Sequence, residues 1–209
     1  MQVLAEVNRI VPLRFRDRTL DTYHAENASQ RAALKAARRI VDGTLQNLVL
    51  VGATGLGKTH LAAGVVAKIV ANHEAMFSEA VKAADMNTAP RLFPKPMWLN
   101  VADAVATMRF EMGHPSDDRA MTDNVRRVRS HPCLVVLDDL GREKVSDWTA
   151  ELIYAVVNAR YEAMLPTMIT SNLSPAELLA SPYWTAISRL AEDGEMVKLE
   201  GIDHRLKRG

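Results

Sequence analysis

The stretch Gly52-Ala53-Thr54-Gly55-Leu56-Gly57-Lys58-Thr59 matches the pattern G-x-x-x-x-G-K-S/T at every fixed position. Small residues and glycines at this spacing let consecutive backbone N–H groups turn inward around a phosphate. A helix that starts at the end of such a loop adds unpaired donors and the positive end of its dipole. Lys58 has the length to reach β- and γ-phosphates, and the Thr59 hydroxyl suits Mg²⁺. His60 follows directly and is counted with the loop. These residues predict a site for ATP with Mg²⁺.

Three further sets of polar residues stand where that chemistry needs them. Leu134-Val-Val-Leu137 runs into Asp138-Asp139. A carboxylate at the tip of a buried strand can hold Mg²⁺, the role expected of Asp138. Asp139 stands where a base or water-orienting carboxylate belongs. An isolated Asp-Asp pair is commonly a solvated turn, but after a phosphate loop the metal reading is favoured. Asn172 closes the next strand, and strand carboxyl ends line the ligand crevice of a parallel sheet. Arg189 and Arg205 are late cations, either surface groups or neutralisers of charge on a transferring phosphoryl group.

The elements that must position these groups follow from the hydrophobic pattern. Leu48 to Val51 reads as a buried strand before the loop, and His60 to about Ala71 as the helix after it. Asn27 to Val41 is a helix ended by Asp42-Gly43. Residues 72–96, closing on Pro90, Pro94 and Pro96, read as a surface insertion with a short helix over Ala75–Ala84. Met97–Asn100 is a strand, Val101–Met112 a helix, and Ser116–Ser130 a second helix. On the latter Met121, Val125 and Val128 share one face and Arg119, Thr122, Arg126 and Arg129 another. This basic stripe is a candidate contact for single-stranded DNA phosphates, or else a solvated face. Leu134–Leu137 and Pro166–Thr170 are strands with the helix Trp148–Ala163 between them. Ser174-Pro175-Ala176-Glu177 carries a helix start with N-cap serine, proline and a returning glutamate. Residues 1–14 are weakly patterned, and Ser181–Gly209 is left as a tail. Strands alternating with helices predict a doubly wound, mostly parallel α/β sheet.

Composition narrows the function classes. The chain of 209 residues has 48% hydrophobic residues and a net charge of +1, so it can bury an α/β core and carries no global field for nucleic acid. Its single cysteine, Cys133, excludes a disulfide framework and a multi-cysteine zinc site. The N-terminus lacks the pattern of a signal peptide and no long apolar run could span a membrane, so the cytoplasm is the expected setting.

Taken in order, Gly52-Ala-Thr-Gly-Leu-Gly-Lys-Thr-His-Leu-Ala62, Leu137-Asp-Asp-Leu-Gly141, Asn158-Ala-Arg-Tyr161, Pro166-Thr-Met-Ile-Thr-Ser-Asn-Leu173 and Ile187-Ser-Arg-Leu190 resemble the DnaC/DnaI/IstB group of AAA+ ATPases. The resemblance covers about residues 15–206, leaving 1–14 as a short N-terminal segment. It implies a P-loop NTPase (AAA+) three-layer sandwich with a helical lid that is short or absent. It implies ATP hydrolysis between the subunits of a homo-oligomeric ring or spiral, in a helicase loader whose partners are the replicative DNA helicase and single-stranded DNA. By the same likeness Asp138 and Asp139 form the Walker B pair. Asn172 matches sensor 1, Arg189 the arginine finger given to a neighbour, and Arg205 sensor 2. The helices over 101–130 match a DNA-contacting insertion. The alternatives are an IstB-like helper acting with a transposase, a weakly hydrolysing nucleotide-gated adaptor, and a P-loop small-molecule kinase.

Overall fold

A computed structural model describes residues 2–82, 94–112, 118–143 and 145–203, with the side chains of 2, 80–82, 111–112 and 118–122 outside the description. Eight α-helices and five strands are described: α1 Gln2–Ile10, α2 Ala28–Val41, β1 Asn47–Val51, α3 Lys58–Lys82, β2 Met97–Asn100, α4 Val101–Met112, α5 Asp118–Ser130, β3 Val135–Leu140, α6 Asp147–Glu162, β4 Thr167–Ser171, α7 Pro175–Ala180, α8 Trp184–Glu192 and β5 Gly194–Lys198. A single 3-10 turn, Leu13–Phe15, joins α1 to the segment before α2.

All five strands are parallel, in the order β2-β3-β4-β1-β5. Alternation along each strand then builds three layers. Leu48 and Leu50 of β1 and Val136 of β3 face a core shared with Val7 of α1, Ala33 and Ala37 of α2, and Leu61 and Val65 of α3. Val49, Val51, Val135 and Leu137 face the opposite core with Val105 of α4, Val128 of α5, Val157 of α6 and Ile187 of α8. Continuous apolar runs suit strands covered on both faces. The predicted α/β sandwich is therefore the observed fold.

Caps fix where the helices begin. Asn27 accepts from the Gln30 N–H at the start of α2. Ser146 does the same for Thr149 in α6. Ser174 and Glu177 form the full reciprocal capping box of α7.

The structure differs from the sequence expectation in four places. Helix α3 continues to Lys82 instead of stopping near Ala71, because 72–82 holds no glycine or proline. The short helix expected over Ala75–Ala84 is thus its last turns up to Lys82, and residues 83–93 of the expected insertion lie outside the described residues. Strand β3 runs through both aspartates to Leu140. The N-terminal residues form α1, which buries Val7 against α3. The tail holds α8 and β5, and β5 pairs with β1 along its whole length. After β5 the described residues 199–203 contain no helix.

Candidate nucleotide-binding site

Strand β1 lies between β4 and β5 and delivers the loop 52–57 at its carboxyl end. Gly52, Gly55 and Gly57 all have positive φ, which a glycine adopts without steric cost. At Gly57 close approach matters as well: an added Cβ would stand 2.6 Å from the Tyr23 ring. Tyr23 also donates its hydroxyl to the Leu56 carbonyl at 3.2 Å. Burial pushes that phenol up to about 12. Tyr23 thus braces the loop from the segment before α2. Lys58 opens α3 with only 6% of its surface exposed. Its Nζ donates to the carbonyls of Gly52 at 2.6 Å and Ala53 at 2.8 Å, so the ammonium is held over the first residues of the loop.

The carboxyl ends of β3 and β4 bring the acidic groups to the same place. Thr59 Oγ1 donates to Asp138 Oδ1 at 3.1 Å, and Thr170 Oγ1 donates to that oxygen at 2.6 Å. Burial pushes the Asp138 carboxyl up from its ordinary value, and the neighbouring Asp139 charge adds to this. The two hydroxyls and Lys58 pull the other way. Asp139 follows in the left-handed region at φ 65°, where the β3–β4 register shifts between Leu137 and Leu140. This irregularity turns the second carboxylate out of the strand alternation. The Asp139 N–H donates to Thr170 Oγ1 at 3.0 Å. Asn172 Nδ2 donates to Asp139 Oδ1, and Arg142 Nη1 to Asp139 Oδ2 at 3.0 Å.

The structure therefore joins Thr59, Asp138, Asp139 and Asn172 in one hydrogen-bonded cluster beside Lys58. Thr170 and Arg142 belong to it and were missed by sequence reasoning. Thr170 is one of three hydroxyl residues in β4, with nothing in the sequence to single it out, and Arg142 is one surface cation among many. The donor set fits Mg²⁺: a hydroxyl and a carboxylate 3.1 Å apart at the foot of an anion-binding loop are hard oxygen ligands.

Other expected residues stand apart from this cluster. The His60 ring points to the segment before α2, with Nε2 2.9 Å from the Thr19 carbonyl and 3.2 Å from Thr22 Oγ1. Its expected place beside the nucleotide is corrected for the side chain: it fastens residues 19–22 to α3. Burial lowers its pKa, which favours the neutral ring. Arg189 on α8 lies over the rings of Tyr154 and Tyr161 and donates to the Tyr154 hydroxyl at 3.0 Å. On α5, Arg126 and Arg129 are exposed, Arg126 pairing with Asp123 at 3.5 Å, while Val128 is buried. The Arg119 side chain and all of Arg205 lie outside the described residues.

A three-layer parallel sheet with a phosphate loop at the end of its β1 strand is the fold of a P-loop NTPase domain. Comparison with known proteins gives the finer placement. No family model matches the chain. The replicative helicase loader DnaC of Escherichia coli K12 is 23% identical over 165 residues, 77% of this chain and 57% of the relative. The replicative helicase loader DnaI of Bacillus subtilis is 35% identical over 69 residues, 32% of this chain and 22% of the relative. A crystal structure of the DnaC helicase loader superposes with a TM-score of 0.68 at 28% identity, covering 90% of this chain and all of that one. The replication initiator DnaA bound to AMPPCP and single-stranded DNA shares the fold, with a TM-score of 0.65 at 17% identity over 92% of this chain and 51% of its own. The chain is similar to the DnaC and DnaI helicase loaders, and it spans little more than half the length of the curated DnaC relative. Among the described residues no helix is long and apolar enough to cross a membrane.

Proposed function

We propose that this chain binds and hydrolyses ATP as a loader of the replicative DNA helicase, in the cytoplasm. The observation that supports this best is the Thr59–Asp138–Thr170 cluster set against the loop that holds Lys58. The Lys58 ammonium exchanges its loop carbonyls for β- and γ-phosphate oxygens. Thr59 and Asp138 hold Mg²⁺, which supplies charge neutralisation at the phosphoryl group. Asp139, steadied by Asn172, orients the attacking water and accepts its proton. Arg189 serves a neighbouring subunit of a homo-oligomer, and Arg205 the nucleotide of its own chain. The backbone N–H groups of Gly52 to His60 line the phosphates. Arg119, Arg126 and Arg129 take single-stranded DNA by its phosphates. Both curated relatives described above are helicase loaders, which favours this reading over a transposase helper.

The test is equilibrium binding of ATP and its turnover, with and without single-stranded DNA, in the wild type and in Lys58→Ala. The wild type is expected to bind and hydrolyse. The variant should lose at least about a hundredfold in affinity, as befits a lost charge-assisted phosphate contact in a dry site. Co-purification with the replicative helicase tests the partner. Equal ATP turnover by the two proteins would refute the site.

A further inference from the structure

Residues 199–203 cross the phosphate loop as a strap. The Leu199 N–H donates to the Val51 carbonyl at 2.8 Å, prolonging the β1–β5 pairing to the edge of the loop. Glu200 is tied to the start of α2: Asn27 Nδ2 donates to its carbonyl at 2.8 Å, and its own N–H donates to Ser29 Oγ at 2.9 Å. The strap then brings Asp203 against Gly55. A Cβ added to that glycine would stand 1.7 Å from Asp203 Oδ1 and 2.8 Å from Oδ2. The carboxylate is thus packed directly on the loop, and Gly55, at φ 81°, is the residue type that admits it.

Such a contact is unusual for its sign. The loop is a concentration of inward N–H donors with a lysine beside it, built for anions. A fixed carboxylate in contact with it repels any polyphosphate that enters. At a few ångströms, in the screened surroundings of a protein surface, two like charges repel strongly enough to change affinity by about an order of magnitude.

The geometry points to Asp203 as the residue that sets nucleotide affinity in this chain: its charge weakens the binding of polyphosphate, and it does so through the strap that anchors it. This rests on the nucleotide-site reading given above. Substitutions that remove the charge tighten the site, and the gain grows with the number of phosphates in the ligand.

The experiment is equilibrium titration of ATP, AMP and inorganic tripolyphosphate against the wild type, Asp203→Asn, Asp203→Glu and Lys58→Ala, at two salt concentrations. Asp203→Asn is expected to bind ATP and tripolyphosphate about tenfold more tightly, with a smaller gain for AMP and a smaller difference at high salt. Asp203→Glu, which keeps the charge, should stay within about twofold of the wild type. Unchanged or weaker ATP binding by a folded Asp203→Asn would overturn the proposal. So would an equal gain in Asp203→Glu, which would make the effect one of packing. Binding by Asp203→Asn alone would support it. If neither the wild type nor Asp203→Asn binds any of the three probes, the nucleotide-site reading falls together with this one. Binding that Lys58→Ala abolishes while Asp203→Asn leaves it unchanged sinks only the role of Asp203.

Discussion

At the carboxyl ends of β3 and β4, Asp138 is buried with two hydroxyl donors, Thr59 and Thr170, both on Oδ1. At the amino ends of the same two strands, Arg160 is buried with every N–H engaged. Its Nε donates to Thr167 Oγ1 at 3.0 Å, its Nη1 to the carbonyls of Val128 at 2.7 Å and His131 at 2.9 Å, and its Nη2 to those of Cys133 at 3.0 Å and Pro166 at 2.8 Å. Five donors meet five acceptors, the full capacity of a guanidinium. Burial lowers the Arg160 pKa to about 10, which still leaves the side chain charged at neutral pH. Both ends bury one charge of several hydrogen-bonding atoms. One end satisfies it completely and ties α5, β3, α6 and β4 together. The other leaves a carboxylate pushed upward by burial, a state that a cation would relieve. Full satisfaction suits a scaffold, and the raised carboxylate stands where we propose that a cation binds.

The comparison can be broken first at the scaffold end, where the largest effect is expected. Arg160→Ala strands five acceptors and should cost about 3–5 kcal/mol of stability. Chemical denaturation of the wild type, Arg160→Ala and Arg160→Lys would measure it, with lysine recovering only part because an ammonium has three donors. A loss below about 1 kcal/mol would mean that water replaces the guanidinium, as at a surface site.

A smaller effect of opposite sign is expected at the site end. Because the folded Asp138 pKa is raised, the folded state holds its proton more tightly than the unfolded chain. The stability this group contributes is present below the ordinary carboxylate value of 3.8 and is lost as pH rises through the raised value. At neutral pH the ionised group is therefore a burden. Asp138→Asn should raise the thermal midpoint there, by a margin that shrinks as pH falls through the same window, while Mg²⁺-dependent nucleotide binding is lost. A midpoint lowered at neutral pH would show that the hydroxyl bonds outweigh burial.

The smallest effect lies away from both ends, on α5. Replacing Arg119, Arg126 and Arg129 with alanine should flatten the log–log salt dependence of single-stranded DNA binding by about two units, at roughly 0.7 per phosphate contact. Stability should hardly change, since Arg126 and Arg129 are exposed. An unchanged slope would assign these arginines to solvent.

Much of this was legible in the chain itself. The loop, the strands β1 to β4 and the capped start of α7 carry strong local signals: fixed glycine spacing, apolar runs, and Ser174 with Pro175 and Glu177. The parts that were missed lack such signals for physical reasons. Strand β5 lies at a sheet edge, its residues are only partly buried, and its sequence Gly-Glu-Met-Val-Lys offers two apolar side chains. Helix α1 is short, and among its described side chains only Val7 is buried, with Val3 and Ile10 packed partly against the same core. Arg160 reads in sequence like any helical arginine, because all its acceptors except Thr167 are backbone carbonyls. Asp203 meets Gly55 only once β5 has brought the tail back to β1. The polar cluster was legible as a set of residues, but its order was not: Thr170 in the middle of it depends on the β3–β4 register.

The pairing of β1 with β5 also has a consequence for how the protein is made. The strand that delivers the phosphate loop pairs on one side with Thr167–Ser171 and on the other with Gly194–Lys198. A ribosome adding about 5–20 residues per second must work for roughly 7–30 s after residue 51 before the second neighbour exists. Such distant contacts also form slowly, because the intervening loop must be closed first. The nascent chain therefore carries its complete loop sequence long before the loop has a finished floor, which is complete only once residues 194–198 have been made.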